Sequence, residues 1–260
     1  MPSRHHTRLV AFVALASFAG ACSDSSTAPG ALQPADLSQV LAELQPSSIG
    51  ALSSQISVAP VAGLSAPVPS SCSFDAASKS FVCPNVSVTG VTVTRSFTLL
   101  DASGNAQSQF DQATTAAVRL KSTFTGTVVS GGSTLTIDQQ QESTLSGLLT
   151  GVHVLDGTSL GHVNGTIGNG TTSTPIASTV ATTISQLVLP RSSTGADRFP
   201  ASGSIGVINT TTLGALPAIA TSALITFNGT SKAAVTITLD GHTTSCTVDL
   251  SAQSATLCTV

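Results

Sequence analysis

The sequence predicts an all-β protein built from one antiparallel sheet, and three features of the chain point to that fold class. From about Phe81 onward, apolar residues alternate with hydroxylated ones, as in strands with one buried and one wet face. Glycine-containing turn dipeptides separate these stretches, and short connections join neighbouring strands in antiparallel order. No intervening stretch has the length and period of a crossover helix, which disfavours a parallel α/β architecture. We expect an up-and-down meander of about ten strands, forming a strongly curved sheet or an incomplete barrel, with a two-sheet sandwich as the alternative.

The chain begins with a segment typical of a secretion signal. Arg4 and Arg8 precede an apolar run over residues 9–21, which ends in small residues before Cys22. The run is shorter than the roughly 20 residues that a membrane-spanning helix needs. We therefore expect residues 1–21 to be removed as a signal peptide.

The residues around the expected cleavage point resemble a known leader. Ala19-Gly20-Ala21-Cys22 is similar to the lipobox of bacterial lipoproteins, which signal peptidase II cleaves just before the cysteine. The resemblance implies that Cys22 receives diacylglycerol and an amide-linked acyl chain such as palmitate, which would anchor the protein in a membrane. Ser23 is similar to the residue found at this place in lipoproteins sorted to the outer membrane, which implies an extracytoplasmic position on its periplasmic or surface side.

The body of the chain also resembles a group of proteins. From Ser80 onward it is similar to uncharacterised Thr-rich envelope lipoproteins, in stretches such as residues 97–107 and 225–230. That group implies no activity and no functional residue.

Two segments are expected between the leader and the sheet. Residues 22–33 are rich in Ser, Thr, Pro and Gly and predict a lipidated, flexible tether. Residues 34–70 predict a helix and a linker that pack on the sheet, although a partner-binding helix is the alternative. Asp36 is suited to cap this helix, Pro46 to stop it, and apolar residues recur between them at helical spacing: Leu37, Val40, Leu41 and Leu44.

The five cysteines predict two local disulfides once Cys22 is set aside for the lipid. Cys72 and Cys83 bracket one hairpin-like stretch, and Cys246 and Cys258 bracket another. Four cysteines allow three connectivities, and four buried free thiols are the alternative that an oxidising compartment disfavours. These pairings mark the two ends of a β domain over residues 71–260.

The first hairpin has a further feature in its favour. If Cys72 lies opposite Cys83, then Phe74 lies opposite Phe81, which is a favourable cross-strand aromatic pair. Closing a loop of this size is expected to stabilise the fold by roughly 3 kcal/mol, less any strain.

Strands and turns can be placed along the body. Alternation is clearest in residues 91–99, 116–128, 223–227, 233–239 and 246–250. A long loop is expected over residues 192–200, with another break at Pro217. The candidate tight turns are Gly131-Gly132, Asp156-Gly157, Asn164-Gly165, Asn169-Gly170, Asn228-Gly229 and Asp240-Gly241.

Composition disfavours several function classes. The formal net charge is −3 and only 8% of residues are charged, so the chain lacks the basic patch that nucleic-acid binding requires. Without Trp or Tyr, an aromatic platform for carbohydrate is disfavoured. No phosphate-cradling glycine loop is present, and we expect no cofactor.

Catalytic and metal patterns occur in one stretch. Residues 157–161 match Gly-x-Ser-x-Gly around Ser159, but a turn signal follows where a nucleophile elbow needs a helix, so a hairpin tip is the preferred interpretation. His153, Asp156 and His162 lack a zinc-ligand spacing, and we expect no metal site. His242 follows a turn signal and is assigned no role.

Three function classes remain after these exclusions. The first is a non-enzymatic envelope lipoprotein, a structural or interaction module tethered to a membrane, whose partner is another envelope protein. The second is a carrier of an apolar ligand in the concavity of the sheet, and the third is a hydrolase with an unrecognised triad. A carrier would have an empty cavity lined by Val91, Val93, Phe97, Leu120 and Phe124.

Arg95 bears on the carrier class because its position in the alternation places it on the apolar face. A rim position or a pairing with a carboxylate would explain it structurally. In a carrier, Arg95 would instead hold an anionic head group.

Overall fold

A computed structural model describes residues 71–88, 90–130, 132–168, 172–189 and 199–250, all within one compact unit of the chain. These residues form one antiparallel sheet of 13 strands and contain no helix, which confirms the all-β class. The leader, tether and helix predicted for the first 70 residues lie outside the described residues, and so does Cys258. No helix that could cross a membrane is present in the described ranges.

The strands follow one another along the chain with short connections. In chain order they are β1 (Ser73–Asp75), β2 (Ser80–Val82), β3 (Val86–Val88), β4 (Val91–Asp101), β5 (Ala106–Gln107), β6 (Thr115–Ser130), β7 (Ser133–Ser146), β8 (Val154–Gly168), β9 (Ser173–Val188), β10 (Ser202–Leu213), β11 (Ile219–Phe227), β12 (Lys232–Leu239) and β13 (His242–Asp249).

The sheet is an open meander. Its strand order is β1-β2-β4-β6-β7-β8-β9-β10-β11-β12-β13, and the short strands β3 and β5 also pair with β4. Every pairing is antiparallel. The path starts at β1 and ends at β13, so the sheet does not close on itself. The predicted up-and-down order is therefore confirmed.

The core lies on one face of the sheet, which we call the buried face. One band of aliphatic side chains crosses five strands as successive cross-strand partners: Leu99, Val118, Leu145, Leu155 and Leu187. All five are exposed by 2% or less. Burying an aliphatic side chain of this size contributes about 1.5–3 kcal/mol, so this band is a major source of stability. The opposite side of the sheet is the exposed face.

Several of the predicted turns are present. Asp240 and Gly241 have φ of 48° and 83° and connect Leu239 to its partner His242, as in a tight hairpin with left-handed central residues. Gly132, with φ of 85°, lies between β6 and β7, and Gly229, with φ of 81°, lies between β11 and β12. Pro217 falls between β10 and β11 as expected, whereas Asn169 and Gly170 lie outside the described residues.

Two predicted turns are wrong. Asp156-Gly157 and Asn164-Gly165 both lie inside β8, where pairing with β7 and β9 on both sides outweighs the local turn preference. A side chain at Gly165 would bring its Cβ within 2.0 Å of the Thr134 carbonyl oxygen. This glycine therefore allows close approach of two backbones within the sheet, and no chain reversal occurs there.

A β-bulge on β9 is held by neighbours on both sides. Gln186 has a left-handed φ of 49°, and its backbone and side-chain amides donate to the Asp156 carboxylate at 2.7 and 2.8 Å. On the other side, Gly203 has φ of 106°, and a Cβ there would lie 2.4 Å from the Gln186 carbonyl oxygen. The bulge therefore depends on an aspartate from β8 and a glycine from β10.

The first hairpin forms as predicted. Cys72 and Cys83 are joined by a disulfide, and the Phe74 and Phe81 rings meet edge to face with centroids 5.2 Å apart. Both pairs fix the register of β1 against β2. Cys246 is also disulfide-bonded, but its partner lies outside the described residues, so the pairing with Cys258 stays a prediction.

Candidate functional site

The exposed face carries a shallow groove over strands β9 to β12, which we call the β10 groove. Its volume is about 280 Å³. The lining residues are small, hydroxylated or aliphatic, and none is charged: Ala181, Thr183, Gly206, Val207, Ile208, Ser222, Ala223, Leu224, Thr236 and Thr238. A groove of this composition suits an apolar, uncharged group rather than an ion.

Large apolar side chains at and beside the β10 groove are left in water. Ile208 is 59% exposed, Leu224 is 48% exposed, and Leu160 is 47% exposed. The pairing register joins Leu160 to Ala181 and Ala181 to Ile208, so they form one continuous row across β8, β9 and β10. Clustered apolar side chains on a surface mark an interaction site more often than single ones do.

Gly206 forms the floor of this groove, and the fold itself gives no reason for a glycine there. Its φ is not in the left-handed region, and a Cβ built on it would meet no atom within 4 Å. It lies between Thr183 on β9 and Leu224 on β11. Glycine weakens a strand interior, and one without a conformational role can mark a place where another molecule approaches the backbone.

The ion pairs that Glu142 forms on the same face lie away from the groove. Glu142 on β7 pairs with Arg119 and Lys121 on β6, at 3.5 and 3.2 Å. All three side chains are 41–59% exposed, so these ion pairs add little stability. β7 is three strands from β10 in the sheet order, or about 14 Å at the usual strand spacing.

On the buried face, a row of polar residues crosses five strands between apolar positions, and we call this row the polar belt. Its members are successive cross-strand partners on β4, β6, β7, β8 and β9: Arg95, Ser122, Gln141, Ser159 and Thr182. Arg95 is exposed, Gln141 is half-buried, and the three hydroxylated residues are buried.

Four of the predicted cavity-lining residues flank this belt in apolar positions. Phe97 and Leu120 are partners on one side of it and are buried, and Val93 and Phe124 are partners on the other and are half-buried. Val91 lies two residues before Val93 on the same face of β4 and is buried. The structure thus brings the five residues to one face, as the alternation predicts, with polar groups between them that the carrier prediction did not include.

The Gly-x-Ser-x-Gly stretch does not form a nucleophile elbow. Ser159 lies in the middle of β8, which continues to Gly168, so neither a helix nor the predicted hairpin tip follows it. Its hydroxyl accepts a hydrogen bond from Gln139 Nε2 at 3.2 Å on the buried face. His162 is on the exposed face, where Nδ1 lies 3.1 Å from Thr179 Oγ1. Because the two side chains are on opposite faces of the sheet, this histidine cannot serve as the base for this serine.

The other histidine and aspartate candidates do not converge. Asp156 is occupied by its bonds to Gln186, His153 precedes β8, and His242 is exposed at the start of β13. Within the described ranges, no three His, Cys, Asp or Glu side chains are placed to hold a metal ion.

No motif in the sequence points directly to the β10 groove. A glycine within alternating apolar residues of β10 was the available hint, but only the register shows that Leu160, Ile208 and Leu224 come together around it. Cys22, the predicted lipidation site, lies outside the described residues.

Comparison of the chain with protein-family models, with curated proteins and with solved structures found no match.

Proposed function

We propose that this protein is a non-enzymatic envelope lipoprotein that is tethered to a membrane through Cys22 and docks a partner protein on the exposed face of its sheet. The observation that carries the docking is the β10 groove, in which Gly206 keeps the backbone open between exposed Ile208 and Leu224. The partner would insert an aliphatic or aromatic side chain over Gly206, because the groove offers apolar surface and no charge.

Two features of the chain favour this function over catalysis. The serine and histidine of the hydrolase-like stretch lie on opposite faces of β8. The exposed face, by contrast, combines a rigid sheet with an apolar surface that the described residues leave uncovered. A rigid scaffold lowers the entropy that is lost on binding, which suits a docking module.

The docking is tested by photo-crosslinking in the bacterium that makes the protein. A photoreactive amino acid at position 208 of the full chain should form an adduct with one envelope protein. The substitution Gly206→Val should abolish the adduct, because the valine side chain fills the groove while suiting a strand. The matched control is Thr226→Val, which places the same side chain on the exposed face of β11 outside the groove lining.

Three results would contradict the proposed docking. An adduct that survives Gly206→Val would show that the groove is not the contact. Loss of the adduct with Thr226→Val as well would show that the effect is not local. A self-adduct alone would show that the face binds a second copy and not a partner.

The anchor is tested separately. Replacing the lipidated residue, Cys22→Ser, should release the protein from membranes and abolish labelling by an alkyne analogue of palmitate. Retention of the Cys22→Ser protein in membranes after a carbonate wash would contradict the lipid anchor, whatever the crosslinking shows.

A further inference from the structure

The polar belt on the buried face contains hydroxyl groups that the sheet does not satisfy. Ser122 and Thr182 are 5% and 6% exposed, and Ser143, next to the belt on β7, is 3% exposed. No side-chain hydrogen bond joins any of them to a described residue. A buried hydroxyl without a partner costs free energy, so such groups call for a bound molecule or water.

The same face shows that this sheet can satisfy a buried hydroxyl where no ligand is needed. Ser178 is 3% exposed, and its hydroxyl donates to Asn209 Oδ1 at 2.9 Å and lies 2.9 Å from Thr211 Oγ1. By contrast, Ser122 and Thr182 are buried hydroxyls for which the described part of the sheet supplies no side-chain partner.

Arg95 gives this set its charge. It lies directly opposite Ser122, and Gln141 is the next residue across the sheet. No ion pair or side-chain hydrogen bond joins Arg95 to a described residue, and its side chain is exposed, so an incoming anion can reach it. Along its own strand the neighbours on this face are apolar, Val93 and Phe97.

We propose that Arg95, the Ser122 hydroxyl and the Gln141 amide bind the acidic head group of an amphipathic ligand, a carboxylate or a phosphate carried on an apolar body. The guanidinium would neutralise the anion, and the hydroxyl and amide would donate to its oxygens. The apolar body would lie along β4 against Val93 and Phe97, the apolar neighbours of Arg95 on this face. This site is on the face opposite the β10 groove and does not depend on the docking proposed there.

Binding is measured with defined probes on the full chain carrying Cys22→Ser. Without the lipid the protein needs no detergent, which would compete with the amphipathic probes. Isothermal titration calorimetry and native mass spectrometry are run with decanoate, decyl phosphate, decanol and inorganic phosphate. We expect one molecule of decanoate or decyl phosphate to bind. The substitution Arg95→Gln should weaken that binding by about tenfold or more, and decanol should bind more weakly than the acids by a similar factor.

The control is Arg119→Gln, which removes an exposed arginine from the opposite face and should leave binding unchanged. The stronger of the two acids identifies the head group as carboxylate or phosphate. The proposal is overturned if neither acid binds, or if the Arg95→Gln protein binds the acids as tightly as the protein that keeps Arg95. It is also overturned if decanol binds as tightly as the acids. Inorganic phosphate binding as tightly as decyl phosphate would also overturn it, because the apolar body would then contribute nothing.

Discussion

Two glycines three positions apart in β10 serve opposite purposes. Gly203 is required by the fold, because its φ is 106° and a Cβ added to it would lie only 2.4 Å from the Gln186 carbonyl oxygen. Gly206 has ordinary backbone angles and open space where a Cβ would be. The first glycine is therefore explained by the bulge, and the second by a contact that the chain does not make with itself.

The close contact at Gly203 predicts a larger loss of stability on substitution than at a left-handed glycine in open space. Gly203→Ala should lower the free energy of unfolding by about 2–3 kcal/mol, because it adds a clash to an unfavourable φ. Gly104→Ala, at a φ of 81° with nothing within 4 Å, should cost only about 1 kcal/mol. Urea denaturation of the two variants measures both changes in the free energy of unfolding. Equal losses in the two variants would contradict the requirement for a glycine beside the bulge.

Gly206→Val should leave the free energy of unfolding unchanged or raise it by up to about 1 kcal/mol, because valine suits a strand better than glycine. The same denaturation series checks this expectation. A loss comparable to that of Gly203→Ala would mean that Gly206 has a structural role and would contradict the proposed docking.

A carboxylate at the end of β4 gives the fold a pH dependence at the residue scale. The Asp101 carboxylate accepts hydrogen bonds from Asn105 Nδ2 at 3.0 Å and from the Asn105 backbone N–H at 2.8 Å. These bonds, the side-chain one above all, hold the pKa of Asp101 below its ordinary value. A lowered pKa in the folded state means that the ionised form stabilises the turn at neutral pH.

The stabilisation by ionised Asp101 should be fully present above the pKa of about 4 that an aspartate has in the unfolded chain. It should be lost as the pH falls through the lower pKa that Asp101 has in the folded state. Because other carboxylates titrate in this range, the measurement is the difference in unfolding free energy between the unsubstituted chain and Asp101→Asn. That difference should shrink between pH 7 and pH 2.5. A constant difference would show that the Asp101 bonds do not stabilise the fold.

At the scale of elements, residue spacing and turn dipeptides predict the hairpins correctly but do not predict the full length of the long strands. The first hairpin follows from the spacing of Cys72, Phe74, Phe81 and Cys83, since all four side chains meet across two short strands. β8 was predicted to break at its glycines, but it continues because both of its neighbours pair along its length. Turn dipeptides report local preference only, and pairing with distant strands can override it.

The β1–β2 hairpin should depend on its disulfide more than the rest of the sheet does. Replacing both Cys72 and Cys83 by alanine should destabilise the hairpin by up to about 3 kcal/mol on the chain-entropy model. Hydrogen exchange should then speed up in β1 and β2, while amides in β7 and β8 keep their protection. Equal loss of protection in all four strands would show that the disulfide supports the whole sheet.

At the scale of the whole molecule, the sequence predicted the class and the neighbour order but not the chemistry of the two faces. Alternation within one strand shows which residues share a face, so Arg95 could be placed among apolar side chains. The polar belt needs the register of five strands, because its members are far apart in sequence. The β10 groove needs three registers in the same way.

The central claim, that a partner covers the β10 groove in the envelope, is tested most directly by thiol labelling of Ile208→Cys. The maleimide labelling rate is compared between the purified protein and intact envelopes, with Ala102→Cys in the exposed turn after β4 as reference. We expect position 208 to label at least about tenfold more slowly in envelopes, and the added substitution Gly206→Val to restore the purified-protein rate. Equal rates at position 208 in both preparations would show that nothing covers the groove and would contradict the account.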